Sequence, residues 1–128
     1  VDLSPLPLKK FAEEHAAFPE DHLICGDFFE LDSTYELIIE QTFFCALHPS
    51  ERPAYAHKMS NLLSRTGKLV GLLFEDELFH DHPPYGGFRD EYRAYFETYF
   101  EFNVFERCYN SIKPRQGREL FINLSKKS

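Results

Sequence analysis

A mixed α/β fold, with a mostly parallel sheet closed by an antiparallel hairpin, is what this sequence predicts. Three observations carry that expectation. Apolar strand-like runs alternate with amphipathic helical stretches along most of the chain. The last two apolar runs follow one another around a turn containing Pro114 and Gly117. The run 68–74 is nearly continuously apolar, as expected of a strand buried on both faces. A length of 128 residues suits one domain with a real core, so a single domain over 1–128 is expected.

Taken in order, Val1-Asp2-Leu3 reads as the end of a strand, and Ser4 then caps a helix with Pro5 at its first position. Leu8, Phe11, Ala12 and His15 share one face of that helix, which Pro19 is expected to end. Residues 22–25 read as a short strand, with Gly26-Asp27 turning out of it, and residues 37–39 as a buried strand. A second helix begins near Ser50, with Pro53 inside its first turn, where a missing N–H costs nothing. Tyr55, Met59, Leu62 and Leu63 form its buried stripe, and Gly67 is expected to stop it. After the strand 68–74 comes a polar loop, 75–87, rich in His, Asp and Pro. Phe88, Tyr92, Tyr95, Phe96 and Tyr99 make the apolar face of a third helix, which as an aromatic stripe reads first as a packing element. Residues 102–109 and 119–124 complete the hairpin.

Composition excludes several functions. The formal charge of −7 and the scatter of Lys9, Lys10, Lys126 and Lys127 leave no basic stripe for nucleic acid. No apolar run approaches the ~20 residues that span a bilayer, and no signal peptide is visible. Cys25, Cys45 and Cys108 are odd in number and far apart, which suits free thiols in a reducing, cytoplasmic setting. His80, His82, Asp76, Glu77 and Asp81 sit in a loop without metal-ligand spacing, so no metal is expected. Cys45 has no histidine placed to activate it and is expected to be a small buried apolar residue.

The most informative stretch is Tyr35-Glu36-Leu37-Ile38-Ile39-Glu40-Gln41-Thr42-Phe43-Phe44-Cys45-Ala46-Leu47. It places a carboxylate, an amide, a hydroxyl and two phenylalanines just beyond a strand's carboxyl end, where ligands of open α/β sheets sit. A purely structural turn favours Gly, Asn or Asp. The segment therefore reads as the wall of a small-molecule pocket, although Phe43 and Phe44 as core residues is the plainer alternative. Asp2 before Ser-Pro reads on its own as a helix-start residue, Asp27 as an Asx-type turn, and Tyr85 as a turn tyrosine.

Several words of the sequence are more specific than a pattern of elements. Gly26-Asp27-Phe28-Phe29, Glu40-Gln41-Thr42-Phe43-Phe44-Cys45-Ala46, Arg52-Pro53-Ala54-Tyr55, Pro83-Pro84-Tyr85 and Pro114-Arg115-Gln116-Gly117-Arg118-Glu119 resemble the thiol/halide methyltransferases. These are a branch of the thiopurine S-methyltransferase family, within the S-adenosylmethionine-dependent class I methyltransferases. The resemblance runs from Val1 to the last strand and implies a Rossmann-like class I methyltransferase fold. That fold opens with a strand and a Gly-x-Gly loop. Neither is found in this sequence, which is expected to start at the end of the fold's second strand. The absent first strand would leave strand edges open for self-association.

The resemblance also implies roles. Asp2 would accept the ribose hydroxyls of the cofactor and Leu3 would pack on its adenine. Asp27 would take the adenine amino group, with Phe28 bordering the base. Glu40 and Gln41 would line the pocket below the sulfonium, the acid favouring the cation. Phe43, Phe44 and Tyr85 would present aromatic faces to it, worth ~1–2 kcal/mol when desolvated. Tyr85 and Phe44 are the candidate catalytic residues, Tyr85 orienting the acceptor from a loop stiffened by Pro83-Pro84. Arg52 is expected to be structural, pairing with a carboxylate. The implied reaction carries a methyl group from S-adenosylmethionine to a thiol, hydrosulfide, thiocyanate or halide, with S-adenosylhomocysteine as product. Alternatives are a catalytically inactive methyltransferase-like fragment or interaction module, and a dinucleotide oxidoreductase, which would not usually end in such a hairpin.

Overall fold

The computed structural model describes residues 1–128. The chain divides into two compact units, Val1–Ser33 and Thr34–Ser128.

In the first unit, helix α1 (Pro5–Glu14) starts at the Ser4-Pro5 pair. It ends at His15, whose N–H reaches back to the Phe11 carbonyl, and not at Pro19. Its expected core face is not buried: no residue of α1 is. Phe11 instead meets His15 at a tilt and Phe18 edge-on, and Phe18 meets His22, an aromatic ladder near the surface. The strand expected over 22–25 is also replaced. A 3-10 turn occupies Glu20–His22, and a single parallel bridge joins Asp2 to Cys25. Pro19 on one side and Gly26-Asp27 on the other leave too few residues for a ladder.

The second unit holds a four-stranded sheet: β1 (Tyr35–Gln41), β2 (Leu63–Phe74), β3 (Phe100–Arg107) and β4 (Glu119–Lys126). The spatial order is β1-β2-β4-β3, with β1 parallel to β2 and β4 antiparallel to both its neighbours. Three strands therefore share one direction, and the last strand, inserted between β2 and β3, reverses it. That is the mostly parallel sheet with a closing hairpin expected from the sequence. Helices α2 (Arg52–Leu62) and α3 (Arg89–Phe96) belong to this unit.

The core forms where Leu69 and Leu73 of β2 and Leu120, Ile122 and Leu124 of β4 are buried together with Tyr55, Ala56, Met59 and Leu62 of α2 and Tyr92 and Phe96 of α3. Each large apolar side chain so buried contributes ~1.5–3 kcal/mol. The α2 stripe is the expected one. Gly67, however, is no helix stop. Leu63 already turns the chain into extended backbone, and Gly67 lies inside β2. Burial along 68–74 alternates, with Leu69, Gly71 and Leu73 buried and Val70, Leu72 and Phe74 half-buried, so β2 is not closed over on both faces.

β1 is the larger correction. Its apolar Leu37 and Ile39 are 54% and 76% exposed, whereas Glu40 is 3% exposed. The strand lies at the sheet's edge with β2 as its one strand neighbour, and the face carrying Leu37 and Ile39 is open. Gly71 stands opposite Glu40 in the β1–β2 register, and a Cβ there would run into the Glu40 backbone carbonyl. Only glycine lets the two strands close at the residue that organises the site.

Candidate functional site

At the carboxyl end of β1 the chain makes a sharp turn into the 3-10 segment Phe44–Ala46. Glu40 builds that turn. Its Oε2 accepts from the Phe43 N–H at 3.0 Å, and its Oε1 from the Phe44 N–H and the Tyr55 hydroxyl, both at 2.8 Å. One buried carboxylate thus holds two backbone donors and one side chain of α2. Burial pushes its pKa up, while the three donors pull it down. The Tyr55 hydroxyl is raised well above its ordinary value, first by burial and then by the Glu40 charge.

The reversal falls on Thr42, at φ +61°. A β-branched residue in this left-handed region carries ~1–2 kcal/mol of strain that Gly or Asn would relieve. Its hydroxyl donates to the Gln41 carbonyl at 2.6 Å. Strain kept where an unstrained residue would serve points to function.

Phe44, 1% exposed, meets Tyr55 and Tyr92 edge-on at 5.1 Å each. The Arg52 guanidinium lies 4.7 Å from the Phe44 ring centroid and 5.4 Å from that of Tyr92. Arg52 is itself 1% exposed and donates to the Tyr85 and Gly86 carbonyls and to Glu91. It ties the start of α2 to the Pro-Pro-Tyr loop, the structural part expected of it, with Glu91 as the carboxylate. Its Nε is inaccessible and without a hydrogen-bond partner.

Tyr85 is 9% exposed and fixed through its backbone: its N–H donates to the Cys45 carbonyl at 2.7 Å, so the two loops are stitched directly together. Its ring meets His48 edge-on. The Pro83–Pro84 peptide is cis. Two ion pairs pin the loop's base: Arg89 with Glu75 and Arg118 with Asp76, both at 2.6 Å. Each arginine holds its carboxyl below the usual range. Cys45 is buried, which raises its thiol pKa, as suits the apolar role expected.

In the first unit, the Asp2 backbone pairs with Ile24 and Gly26, and its Oδ1 accepts from the Ser4 N–H. Asp27 caps the 3-10 turn Phe28–Glu30, its Oδ1 accepting from the Phe29 N–H at 2.9 Å. Leu3 is 73% exposed; Phe28 is buried and packs edge-on against Phe29. The bridge between Asp2 and Cys25 brings the two acid-bearing segments side by side.

Two depressions of the second unit bear on the site. A cleft of about 510 Å³ is lined by Pro49, Arg52, the loop 77–80 and 85–88, and Glu91, so it contains Tyr85. A groove of about 420 Å³ on the sheet contains Glu40 and Gln41, with Val70, Leu72 and Phe121. Tyr85 and Gln41 thus fall in different depressions, and Phe43 and Phe44 line neither. No group of three or more His, Cys, Asp and Glu side chains is placed to hold a metal ion. Three residues contribute in ways that their positions in the sequence do not announce. Tyr55 was assigned to a core stripe, although a buried tyrosine needs a partner for its hydroxyl, and that need is the signal for its bond to Glu40. Phe79 and Phe88 sit exposed beside the Pro-Pro-Tyr word; Phe88 caps α3 from outside and is not part of its buried face, contrary to the stripe expected from the sequence.

With this geometry in view, the likeness to known proteins becomes specific. The model of the thiopurine S-methyltransferase (TPMT) family matches residues 1–125. The chain belongs to this family. Among relatives, a probable thiol methyltransferase 2 of Arabidopsis thaliana is 29% identical over 125 residues, covering 93% of this chain and 55% of the relative. A thiocyanate methyltransferase 1 of Brassica oleracea is 32% identical over 90 residues, covering 66% and 40%. The chain therefore spans about half the length of the curated relatives it matches. Among solved structures, an S-adenosylmethionine-dependent methyltransferase from Clostridium acetobutylicum superposes with a TM-score of 0.79 at 14% identity, over 100% of this chain and 74% of that one. A TehB-like methyltransferase from Corynebacterium glutamicum gives 0.73 at 13% identity, over 98% and 65%. At such identities the structures establish the fold, a Rossmann-like methyltransferase.

Proposed function

We propose that this family member takes part in S-adenosylmethionine-dependent transfer of a methyl group to a small soft nucleophile: a thiol, hydrosulfide, thiocyanate or halide. The cofactor supplies an electrophilic methyl group on a sulfonium, and leaves as S-adenosylhomocysteine. The acids present fit its nucleoside. Asp2 and Asp27 each spend Oδ1 on a local backbone N–H and keep Oδ2 to accept from a hydroxyl or an amine. Leu3 offers exposed apolar surface for the base, which the backbone of the buried Phe28 would border. Glu40 fits differently from the sulfonium-lining role that the resemblance implies. Its oxygens already hold three donors, so it acts by fixing the Phe43-Phe44 turn and by its charge, while Gln41 keeps an exposed side chain for the ligand.

The observation that carries this reading is that strained, carboxylate-held aromatic turn, in a chain whose relatives are named for thiol and thiocyanate methylation. An ionised sulfur or halide attacking a sulfonium loses charge on the way to the transition state. Replacing water by a fixed aromatic surround favours that change, and holding the reactants in line supplies the rest. Tyr85 would face the reactants and its hydroxyl orient the acceptor, with Phe43 and the buried Phe44 forming the turn behind that surround. No base is needed for a nucleophile already ionised.

The proposal extends to one catalytic domain over 1–128, to self-association through the open edge of β1, and to a cytoplasmic setting, which the free thiols of Cys25, Cys45 and Cys108 favour. No helix is long and apolar enough to cross a membrane. Calorimetric titration with S-adenosylhomocysteine, with NADH as control, tests cofactor binding. Binding of NADH alone would remove the reading. Tyr85→Phe and Phe44→Ala should lower turnover of thiol and thiocyanate, and unchanged turnover would show these residues misassigned.

A further inference from the structure

We infer that the groove on the open face of the sheet is a second binding site, taking a primary alkylammonium whose charge meets Glu119 and whose chain lies on Ile39, Val70, Leu72 and Phe121. The inference does not rest on the methyl-transfer reading; it stands on side chains to which that reading gives no part.

At about 420 Å³ the groove is on the scale of a small organic ligand. Its floor is apolar: Val70 and Leu72 of β2 and Phe121 of β4 are half-buried, beside the exposed Ile39 of β1. The loop between β3 and β4 adds Asn110, Ser111 and the exposed Ile112. Glu119, the first residue of β4, is the polar point. It is 4% exposed, yet its carboxylate accepts no hydrogen bond and has one ion-pair partner, Arg115, at 3.6 Å. A carboxylate so far out of water normally holds donors, as Glu40 holds three. The Ser111 Oγ is likewise inaccessible and without a hydrogen-bond partner. Both groups lack what a bound donor would supply.

Charge selects the ligand. The groove's carboxylates are Glu40 and Glu119 and its one cation is Arg115. An anion meets that negative excess, and a plain apolar chain leaves Glu119 as it is. An ammonium brings three donors to a lining whose Gln41, Asn110 and Ser111 can each accept. A metal ion suits it less, since no group of three or more His, Cys, Asp and Glu side chains is assembled there. Arg115 is free to yield: its guanidinium makes no hydrogen bond to Glu119, its side chain is 30% exposed, and the Phe74 ring offers it a resting place at 5.1 Å.

The test is a titration of the full chain followed by backbone amide NMR, with hexylammonium chloride as probe. Sodium hexanoate supplies the chain with the opposite charge, and potassium chloride a cation without the chain. Hexylammonium should saturate shifts clustered at Ile39, Gln41, Leu72, Ser111, Ile112 and Phe121, and the two controls should not. Glu119→Gln keeps the side chain's size and removes its charge, and should weaken the amine about tenfold. Arg115→Gln removes the competing cation and should tighten it about threefold, a gain that a merely structural Arg115 would not give. Absence of saturable binding, shifts elsewhere, either control binding as tightly, or unchanged affinity in Glu119→Gln would each overturn the inference. Should Glu119→Gln fail to fold, Arg115→Gln decides: tighter binding supports the site, and equal or weaker binding removes it. S-adenosylhomocysteine moving the same amides would assign the groove to the cofactor and overturn the inference too. Its failure to bind at all, with the amine still held, would instead sink the methyl-transfer reading alone.

Discussion

Two turns leave the carboxyl ends of the neighbouring parallel strands β1 and β2, and they are held in opposite ways. After β1 the chain reverses within a few residues around one buried carboxylate with three donors. After β2 a long loop, 75–87, is pinned at its base by two ion pairs whose side chains are partly open to water. Burial raises the pKa of Glu40, while arginine partners lower those of Glu75 and Asp76. In the dry turn a lost partner leaves buried polar groups stranded; in the wet loop solvent screens the charges and replaces partners.

The sharpest way to break this contrast is Glu40→Ala. It strands two N–H groups and a hydroxyl, and should cost about 3 kcal/mol or more in chemical denaturation. A loss below about 1 kcal/mol would mean that water already reaches the turn. Gly87→Ala comes next, at about 1–3 kcal/mol by overpacking against Tyr92. It asks whether the wet loop has one inflexible point. Thr42→Asn runs the other way and should stabilise the protein by about 1 kcal/mol through relief of the left-handed strain. No gain would show that the hydroxyl bond to the Gln41 carbonyl repays the strain.

Much of the architecture was legible because it rests on local chemistry. Ser4-Pro5 starts α1, the Tyr55-Met59-Leu62 stripe faces the core, and two apolar runs around Pro114 and Gly117 make the hairpin. What failed depended on neighbours distant in sequence. Leu37 and Ile39 look like core, yet both are exposed; no spacing in the sequence announces that the Phe43 and Phe44 N–H groups and the Tyr55 hydroxyl of α2 converge on Glu40. The words Gly26-Asp27 and Pro83-Pro84-Tyr85 marked turns correctly. Which depression each side chain lines, as with Tyr85 and Gln41, is decided by tertiary packing that no spacing encodes.

The smallest expected effects lie in the pH dependence of stability, where the two carboxylates are displaced in opposite directions. Glu75 is held below its ordinary pKa of 4.5 by the hydrogen bond and charge of Arg89, so it stabilises the fold above that value and the contribution fades as pH falls through the lowered pKa. Glu40 is displaced upward by burial, so its contribution is full below 4.5 and is lost as pH rises through the raised pKa. Glu75→Gln should therefore cost about 1 kcal/mol or less near neutrality, since Arg89 is 40% exposed and solvent screens the pair. That cost should shrink towards zero in acid. Tyr55→Phe removes a donor that favours the Glu40 carboxylate, so its penalty should grow as pH rises above 4.5. Denaturation curves of both variants and the parent across that range should show the two penalties diverging from zero differently, modestly for Glu75→Gln and more steeply for Tyr55→Phe. Penalties independent of pH would mean that neither turn is held by its carboxylate's charge.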